Sequence, residues 1–328
     1  LGTVGSGAAA GWWRAVAGLF SLLLLWVGQL WWFASSQSTP GAGDNLASSA
    51  AAWEVLRFMA QEKAAGRGLP EKDSEPESVQ LAQCVAGHYG ISLVVEDITA
   101  ALTGLGCYRR RDEAIQRVFP EYDAEAGYKA KLVLPQNLLE EDSINLFSVT
   151  IVAPDGVEET RPLPLYDYLQ IVAASNFKQR TRMAMLYYHA ERRNFAVIGT
   201  ANKNEHAQGF FVKYGDGGVD VRLIGHLLKT QVYQLAAYLD VPAVIRQRPP
   251  TTDTYSAHQS QEEFFFRIPF GVMDMLWYAQ EHHVPLDEVA QAMSLTPEQI
   301  QRAFRDFTCK QRTTEYLRTP PLEFAGTA

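Results

Sequence analysis

Cysteine is scarce in this chain, and basic residues are outnumbered. The 328 residues contain three cysteines, Cys84, Cys107 and Cys309, and no two of them form a C-x-x-C pair. An odd number with this spacing excludes a disulfide framework and favours a reducing compartment. The 29 Lys and Arg residues against 37 Asp and Glu give a net charge of -8. This balance argues against a protein that binds nucleic acid or an anionic membrane through nonspecific charge.

Charge is almost missing from the first 53 residues. Only Arg14 and Asp44 are charged there, and six of the seven tryptophans lie in the same stretch. Residues 15–34 are uncharged and long enough to span a bilayer. Beyond this stretch the composition is that of an ordinary globular domain. The sequence therefore predicts an atypical hydrophobic segment, 1–68, followed by a domain, 69–328.

The hydrophobic segment has three interpretations. It could be a membrane anchor, in which case Arg14 would keep the N-terminus in the cytoplasm and place the domain outside. It could be a secretory signal peptide that is cut near residues 34–36. It could also be a non-native start of the domain, such as a shifted reading frame or a mis-joined gene produces.

Helix and strand signals alternate from residue 70 onward. The capping box at 74–77, with its early proline, predicts a helix that continues to Tyr89 and ends at Gly90. Residues 91–95 form a short apolar run of the kind that is buried in a parallel sheet. Residues 144–161 predict a β-hairpin with a tight turn at Asp155-Gly156.

The second half of the domain repeats the alternation. A helix over 177–193 leads into the apolar strand 195–199, with the sequence FAVIG, and another helix spans 229–239. Residues 289–304 have helical spacing, with a second capping box at Thr296. The whole pattern predicts an α/β fold: a doubly wound parallel sheet with a β-hairpin insertion and a helical C-terminal part.

Polar residues follow the FAVIG strand directly. Thr200 places a hydroxyl at the strand end, and Glu205 places a carboxylate one turn further on, where it could hold Mg²⁺ bridging phosphates. The glycines of the next run, 213–220 (KYGDGGVD), let backbone N–H groups approach an anion, and Lys213 adds a charge. The run alone is typical of a solvated turn. Combined with Thr200 and Lys229, it favours an anion site.

Several blocks resemble one family in the same order. They are NFKQRTRM (176–183), VIGTANKNE (197–205), GFFVKYGDGGVD (209–220), KTQVYQLA (229–236), RPPTTD (248–253) and CKQR (309–312). The family is the ammonia-dependent NAD synthetases of the N-type ATP pyrophosphatase group. Weaker similarity, including LPEKDS (69–74) and GCYRRRDEAI (106–115), extends the resemblance from about Leu69 to Phe324. Ordered blocks are more specific than any single motif.

The resemblance implies a two-step ligation. The carboxylate of deamido-NAD attacks the α-phosphorus of ATP and releases pyrophosphate, and ammonia then displaces AMP from the acyl-adenylate to give NAD. No amidase domain fits in the chain, so free ammonia or a separate glutaminase would supply the nitrogen. The resemblance also implies a homodimer. The implied contacts are Thr200, Lys229 and Thr251 for ATP, Glu205 for Mg²⁺, and Arg180, Lys213, Asp220 and Lys310 for deamido-NAD.

Two family motifs are changed here. The Ser-Gly-Gly-x-Asp-Ser loop that cradles pyrophosphate is not found in the residues that precede LPEKDS, and Cys309 stands where the family usually has His. Because that loop supplies several preorganised donors, we expect slow turnover from the chain as written. The alternative to an active ligase is a catalytically impaired dinucleotide-binding remnant, with or without a membrane tether. A relative of GMP synthetase is a further alternative, against which the KYGDGGVD run argues.

An exported domain would meet little ATP, which conflicts with the implied reaction. We therefore favour a non-native start for residues 1–68 and a cytoplasmic location for the domain. Deletion of residues 1–53 is expected to leave the thermal unfolding transition of the remainder unchanged, because the composition break indicates an independent domain. Calorimetry of both versions checks this expectation. Loss of folding on truncation would contradict it.

Overall fold

The computed structural model describes residues 65–136, 138–141, 145–252 and 254–323. The description below concerns the compact unit Ala65–Ala328. The predictions for the hydrophobic span at 15–34 and for the stretch that lacks the pyrophosphate loop lie outside the described residues. Among the helices that are described, none has both the length and the apolar character needed to cross a membrane.

Helices and strands alternate through the first half of the domain, and helices follow. The strands are β1 (Ala65–Gly68), β2 (Ser92–Val95), β3 (Lys129–Val133), β4 (Ser148–Val152), β5 (Glu158–Pro162), β6 (Ile198–Gly199) and β7 (Val221–Arg222). The helices are α1 (Pro76–Tyr89), α2 (Thr99–Gly104), α3 (Cys107–Val118), α4 (Leu165–Glu191), α5 (Lys203–Gln208), α6 (Lys229–Tyr238), α7 (Ala243–Arg246), α8 (Phe270–Glu281), α9 (Leu286–Met293), α10 (Pro297–Thr313) and α11 (Glu315–Arg318), with a π-helical turn at Glu262–Phe266.

Parallel strands are joined by helices, as the sequence predicts. β1 pairs with β2 in parallel across α1, and β6 pairs with β7 in parallel across α5. Among the described strands these are two separate pairs. The predicted strand at 91–95 is confirmed, but its predicted burial is wrong, since Val94 and Val95 are each 41% exposed. Among the described strands, β2 pairs only with β1, so no described strand covers its other edge.

The predicted hairpin is confirmed as β4 and β5. The two strands pair antiparallel, and Gly156 in the turn between them has φ 87, a left-handed conformation that favours glycine. β3, which the sequence pattern did not predict, pairs with the other edge of β4. Inward residues Leu132, Val149 and Ile151 join a hydrophobic core with Ile171 of α4. The hairpin insertion is therefore packed against the helix that carries part of the site.

Helix α4 is longer than predicted. It begins at Leu165, twelve residues before the predicted start at 177, and ends at Glu191. It therefore has 27 residues. By the usual rise per residue it is about 40 Å long. It packs along α3 and carries Lys178, Arg180 and Asn176 in its middle. A single helix thus runs from the hairpin toward β6, which includes only Ile198–Gly199 of the predicted strand 195–199.

The capping boxes that the sequence predicts at the starts of α1 and α10 have different outcomes. At α1 the predicted capping box is wrong: Glu75 is the N-cap residue without a side-chain cap, and Ser74 Oγ accepts instead from the Glu71 N–H at 3.1 Å. Gly90 ends α1 in the left-handed conformation, as predicted. At α10 the predicted box is confirmed, with Thr296 Oγ1 accepting from the Gln299 N–H at 3.3 Å. The helical C-terminal part surrounds its own hydrophobic core, which includes Phe266.

Candidate active site

The loop after β6 is fixed by a helix cap. Thr200 follows the strand, and Asn202 is the N-cap residue of α5. Asn202 Oδ1 accepts from the Glu205 N–H at 3.0 Å, and Glu205 Oε2 accepts from the Asn202 N–H at 3.0 Å. This reciprocal box satisfies two N–H groups of the helix start and holds the Glu205 carboxylate in one orientation. The predicted strand-end position of Thr200 and Glu205 is confirmed.

A second helix start lies beside this loop. The Lys229 N–H donates to Asn204 Oδ1 at 2.9 Å, and Asn204 Nδ2 donates to Asp274 Oδ1 at 2.8 Å. Asp274 Oδ2 in turn accepts from the Thr230 N–H at 2.7 Å. Asn204 is fully buried and Asp274 nearly so. The two side chains, which sequence reasoning missed, fix the start of α6 against α5.

This arrangement brings Lys229 to Glu205. Lys229 Nζ lies 3.5 Å from Glu205 Oε1, and both side chains are largely buried. The ammonium also lies over the ring of Phe270. The carboxylate that the sequence suggests for Mg²⁺ and the lysine suggested for ATP therefore neutralise each other. A pair of this kind can open toward a bound phosphate and its counterion.

The Gly-rich run is a packed turn. A Cβ atom added at Gly217 would overlap the ring of Phe211, and Gly215 is buried against Val212. Asp216 Oδ1 accepts from the Val212 N–H at 2.8 Å, and burial raises the pKa of Asp216. The glycines are thus required by close packing within the turn, which is not the solvated turn that the run alone suggests.

Lys213 and Arg180 meet at this turn. Arg180 Nε donates to the carbonyl oxygen of Lys213 at 3.2 Å. The Lys213 ammonium donates to the carbonyl oxygens of Tyr316 at 2.7 Å and Thr319 at 2.9 Å. The amine therefore holds the end of the described chain against the Gly-rich run. It also adds positive charge to the side of the turn where Arg180 lies.

Asp220 closes the same run. Its Oδ1 accepts from the Tyr187 hydroxyl at 2.9 Å, and its Oδ2 accepts from the Val197 N–H at 2.7 Å. The carboxylate thereby joins α4 to the residue before β6. Each carboxylate oxygen keeps a further lone pair, because a carboxylate offers about four acceptor positions.

Lys310 lies on α10, which packs against α5. Its ammonium donates to the Phe265 carbonyl oxygen at 2.7 Å and pairs with Asp306 Oδ2 at 2.7 Å. Burial lowers the pKa of Lys310. A cavity of about 520 Å³ adjoins it, lined by residues that include Phe147, Tyr168 and Cys309. Thr251, also predicted from sequence, forms an isolated bridge with Ser260. Among the described residues, no hydrogen bond or ion pair joins Lys310 or Thr251 to the Glu205–Lys229 pair.

Sequence reasoning missed a buried ionic cluster. Lys178 is 0% exposed and pairs with Glu71 and Asp73, and Arg111 contacts the same Asp73. Burial alone would raise the pKa of Asp73, but Arg111 and Lys178 outweigh it and hold the pKa below the usual range. The Tyr108 hydroxyl donates to Glu71 at 2.8 Å. The three blocks LPEKDS, GCYRRRDEAI and NFKQRTRM, all of which the resemblance includes, meet in this cluster.

Together these features define an α/β protein with the Glu205–Lys229 pair just beyond the carboxyl end of a parallel strand, the place where α/β folds commonly bind ligands. Comparison with protein families matches residues 121–321 to the family described as NAD synthase. The chain belongs to the NAD synthase family. The fold class predicted from sequence, and the family resemblance on which it depended, are thereby confirmed.

Curated relatives match most of the chain. A protein of Mesorhizobium japonicum named NH(3)-dependent NAD(+) synthetase is 46% identical over 282 residues, which cover 86% of this chain and 88% of the relative. A protein of Rhizobium meliloti with the same name is 47% identical over 253 residues, covering 77% and 75%. Among solved structures, NMN synthetase from Francisella tularensis is 20% identical with a TM-score of 0.47, over 85% of this chain and 84% of that one. That likeness is too distant to support an inference.

Proposed function

We propose that the chain is a carbon–nitrogen ligase that converts deamido-NAD, ATP and ammonia to NAD, AMP and pyrophosphate. The observation that carries this proposal is the 46% identity, over 86% of the chain, to an NH(3)-dependent NAD(+) synthetase. Membership in the NAD synthase family points the same way. The comparisons favour an active ligase over the dinucleotide-binding remnant. The need for ATP makes the cytoplasm the proposed location.

The Glu205–Lys229 pair is the proposed ATP site. Lys229 would turn from the carboxylate to the phosphates and neutralise charge on the departing pyrophosphate, while the Thr200 hydroxyl donates to a phosphate oxygen. Magnesium keeps several waters and needs only one or two protein carboxylates when phosphates complete its shell. Glu205 fits that pattern, because Oε1 faces the site while Oε2 is held by the helix cap. Bound there, magnesium would neutralise phosphate charge.

The chemistry proceeds in two balanced steps. A carboxylate oxygen of deamido-NAD forms a bond to the α-phosphorus, the bond to the β-phosphate breaks, and pyrophosphate leaves. The ammonia nitrogen then attacks the acyl carbon, AMP leaves with the carbon–oxygen bonding pair, and the nitrogen loses a proton. The first step needs the carboxylate oxygen held in line with the bond that breaks at the α-phosphorus, and the second needs the ammonia nitrogen held against the acyl carbon. Positioning is therefore the main contribution of the protein.

The dinucleotide contacts are proposed from residue type and place. Arg180 and Lys213, which meet at the Gly-rich turn, suit the pyrophosphate of deamido-NAD, and Asp220 has lone pairs free for ribose hydroxyls. Lys310 borders the cavity of about 520 Å³ whose aromatic lining suits a flat ring. Because these residues lie in two places, an extended ligand would have to reach both. A homodimer is proposed as the assembly.

Replacement of Lys213 distinguishes the binding of deamido-NAD from the binding of ATP. We expect Lys213→Ala to weaken deamido-NAD binding about tenfold to a hundredfold, the range for one charge-assisted contact of about 1.5–3 kcal/mol. ATP affinity should change less. Calorimetric titration of each ligand measures both effects, and Lys203→Ala, which removes an exposed lysine paired with Glu281, is the matched control. Equal losses for the two ligands would count against the assignment.

Product formation tests the function itself. NAD and AMP are measured with deamido-NAD, ATP, magnesium and ammonia, using the full chain and a version in which residues 1–68 are replaced by a strand, a Ser-Gly-Gly-x-Asp-Ser loop and a helix. Turnover by either protein supports the ligase. Turnover only by the second would show that the loop is what the chain as written lacks. If neither protein forms NAD, the proposed function is wrong. Glutamine in place of ammonia tests the need for a separate glutaminase.

A further inference from the structure

The middle of α4 contains a lysine whose amine is buried among three oxygen atoms. Lys178 Nζ lies 2.6 Å from Asp73 Oδ2, 2.7 Å from the Thr254 carbonyl oxygen and 2.9 Å from Glu71 Oε1. An ammonium has three N–H donors, and three oxygen atoms surround this one. The first two contacts are hydrogen bonds and the third is an ion pair, and the side chain is 0% exposed, so the amine is enclosed by protein. Lys178 therefore acts by holding other residues of the protein in place and not by contacting a substrate.

The partners of Lys178 come from two separate segments. Glu71 and Asp73 belong to residues 71–75, and Thr254 belongs to residues 248–260. A second link joins the same two segments, because the Arg248 guanidinium donates to the Glu75 carboxylate. The first link is buried and the second is partly exposed. The two segments are thus held together at both ends of a short stretch.

Thr251 lies between these two links. It forms its bridge with Ser260, and the Thr252 N–H donates to the Gln259 carbonyl oxygen at 3.2 Å. The segment is therefore a small closed loop. On the C-terminal side of Thr251, Lys178 donates to the Thr254 carbonyl oxygen, and the exposed His258 comes within 4.0 Å of Glu75, so the Lys178 contact is the buried link on that side. Residues 256–259 are also bonded to β3, so the Lys178 contact is the buried bond that fixes the part of the loop nearest Thr251.

The charge around Lys178 is balanced. Three carboxylates meet three cations here: Glu71, Asp73 and Asp112 against Lys178, Arg111 and Arg182. The Tyr108 hydroxyl also donates to Glu71. A buried carboxylate without a cation would attract water or a proton and reopen the contact. Arg111 and Lys178 hold the pKa of Asp73 below its usual range, so the amine remains held between that carboxylate and the Thr254 carbonyl oxygen. We therefore expect the contact between Lys178 and these oxygen atoms to be stable.

We propose that Lys178 is a positioning residue for ATP. Its amine holds the 248–260 segment, and with it Thr251, against residues 71–75. This inference rests on the proposed function, in which Thr251 contacts ATP. Lys178 touches neither substrate. Its loss should raise the KM for ATP and leave the KM for deamido-NAD near its original value, because α4 keeps Arg180 in place by its own helical hydrogen bonds.

Steady-state kinetics of the full chain, or of the loop-replaced version if only that turns over, tests the proposal. We expect Lys178→Met to raise the KM for ATP about tenfold, the order of one lost charge-assisted contact. The double variant Lys178→Met/Asp73→Asn removes one charge of each sign and should show the same rise if the single variant does not fold. Lys72→Met is the matched control, since Lys72 lies in the same segment but pairs with the exposed Glu125.

Hydrogen exchange supplies a readout that needs no turnover. In the Lys178 variants, amides of residues 248–260 should exchange faster, while those of the hairpin 148–162 keep the rate of the parent. A folded Lys178 variant with unchanged exchange at 248–260 and an unchanged KM for ATP would overturn the inference. A general rise in exchange with both KM values altered would assign Lys178 a structural role only, which also overturns it. If no parent forms NAD, the proposed function has failed, and exchange alone decides whether Lys178 holds the segment.

Discussion

Glu205→Gln is expected to lower kcat about 10²-fold to 10³-fold without unfolding the protein. Glutamine keeps an oxygen that can accept from the Asn202 N–H, so the capping box that fixes α5 survives. The substitution removes the negative charge that faces Lys229 across 3.5 Å and the carboxylate proposed for magnesium. Loss of one preorganised electrostatic contact at developing charge has this magnitude. The effect should therefore fall on turnover.

Two further variants separate the cap from the charge. Glu205→Ala removes both, so it should match Glu205→Gln in activity and lose about 0.5–2 kcal/mol of stability besides. Gln299→Ala removes the same kind of cap at Thr296 and should leave activity unchanged. Initial rates at several magnesium concentrations and chemical denaturation measure the two effects. Near-normal turnover by Glu205→Gln at all magnesium concentrations would contradict the assignment.

Local signals predicted the strand-end part of the site. Thr200 and Glu205 follow an apolar run directly, and in a parallel sheet that position faces the ligand edge. The structure also shows a cap at Asn202 that the sequence pattern N-x-x-E already contains. The hairpin at β4 and β5 was predictable for the same reason, because Asp155-Gly156 and its neighbours carry the turn signal within a few residues. Such features need no knowledge of the rest of the chain.

Contacts between distant residues could not be predicted in this way. Lys178 and Asp73 are 105 positions apart, and Lys213 and Tyr316 are 103 apart. Ion pairs over such separations leave no periodicity, and a lysine in a polar block is equally typical of an exposed surface. Arg111 illustrates the ambiguity, since it ends a run of three arginines yet is 2% exposed. Only the resemblance marked these blocks as significant.

The missed half of α4 has a different cause. Leu165, Tyr166 and Leu169 are 71%, 73% and 55% exposed, so the apolar residues of the first turns do not mark a buried face. Helix prediction depends on such a face. The Gly-rich run is ambiguous in sequence, because its glycines are compatible both with an anion-binding turn and with close packing. The ring of Phe211 against Gly217 shows that packing requires them.

Gly209→Ala is expected to destabilise the protein by about 2–5 kcal/mol. Gly209 ends α5 with φ 80, where an alanine costs about 1–2 kcal/mol relative to glycine. A Cβ atom there would also overlap the side chain of Thr314, and overpacking of this kind costs about 1–3 kcal/mol. Thr314 cannot move freely, because its hydroxyl contacts the carbonyl oxygens of Lys310 at 2.6 Å and Gln208 at 3.2 Å.

Urea denaturation of three variants separates the two causes. Gly271→Ala is the matched control: Gly271 lies in α8 with open space around an added Cβ, so this variant should keep or slightly raise stability. The double variant Gly209→Ala/Thr314→Gly removes the overlap but keeps the backbone strain, and it also gives up the Thr314 hydroxyl contacts. Thr314→Gly alone measures that last cost, so the strain alone should account for about 1–2 kcal/mol of the remainder. If Gly209→Ala unfolds at the same urea concentration as the parent, α5 does not pack on Thr314 as the structure shows.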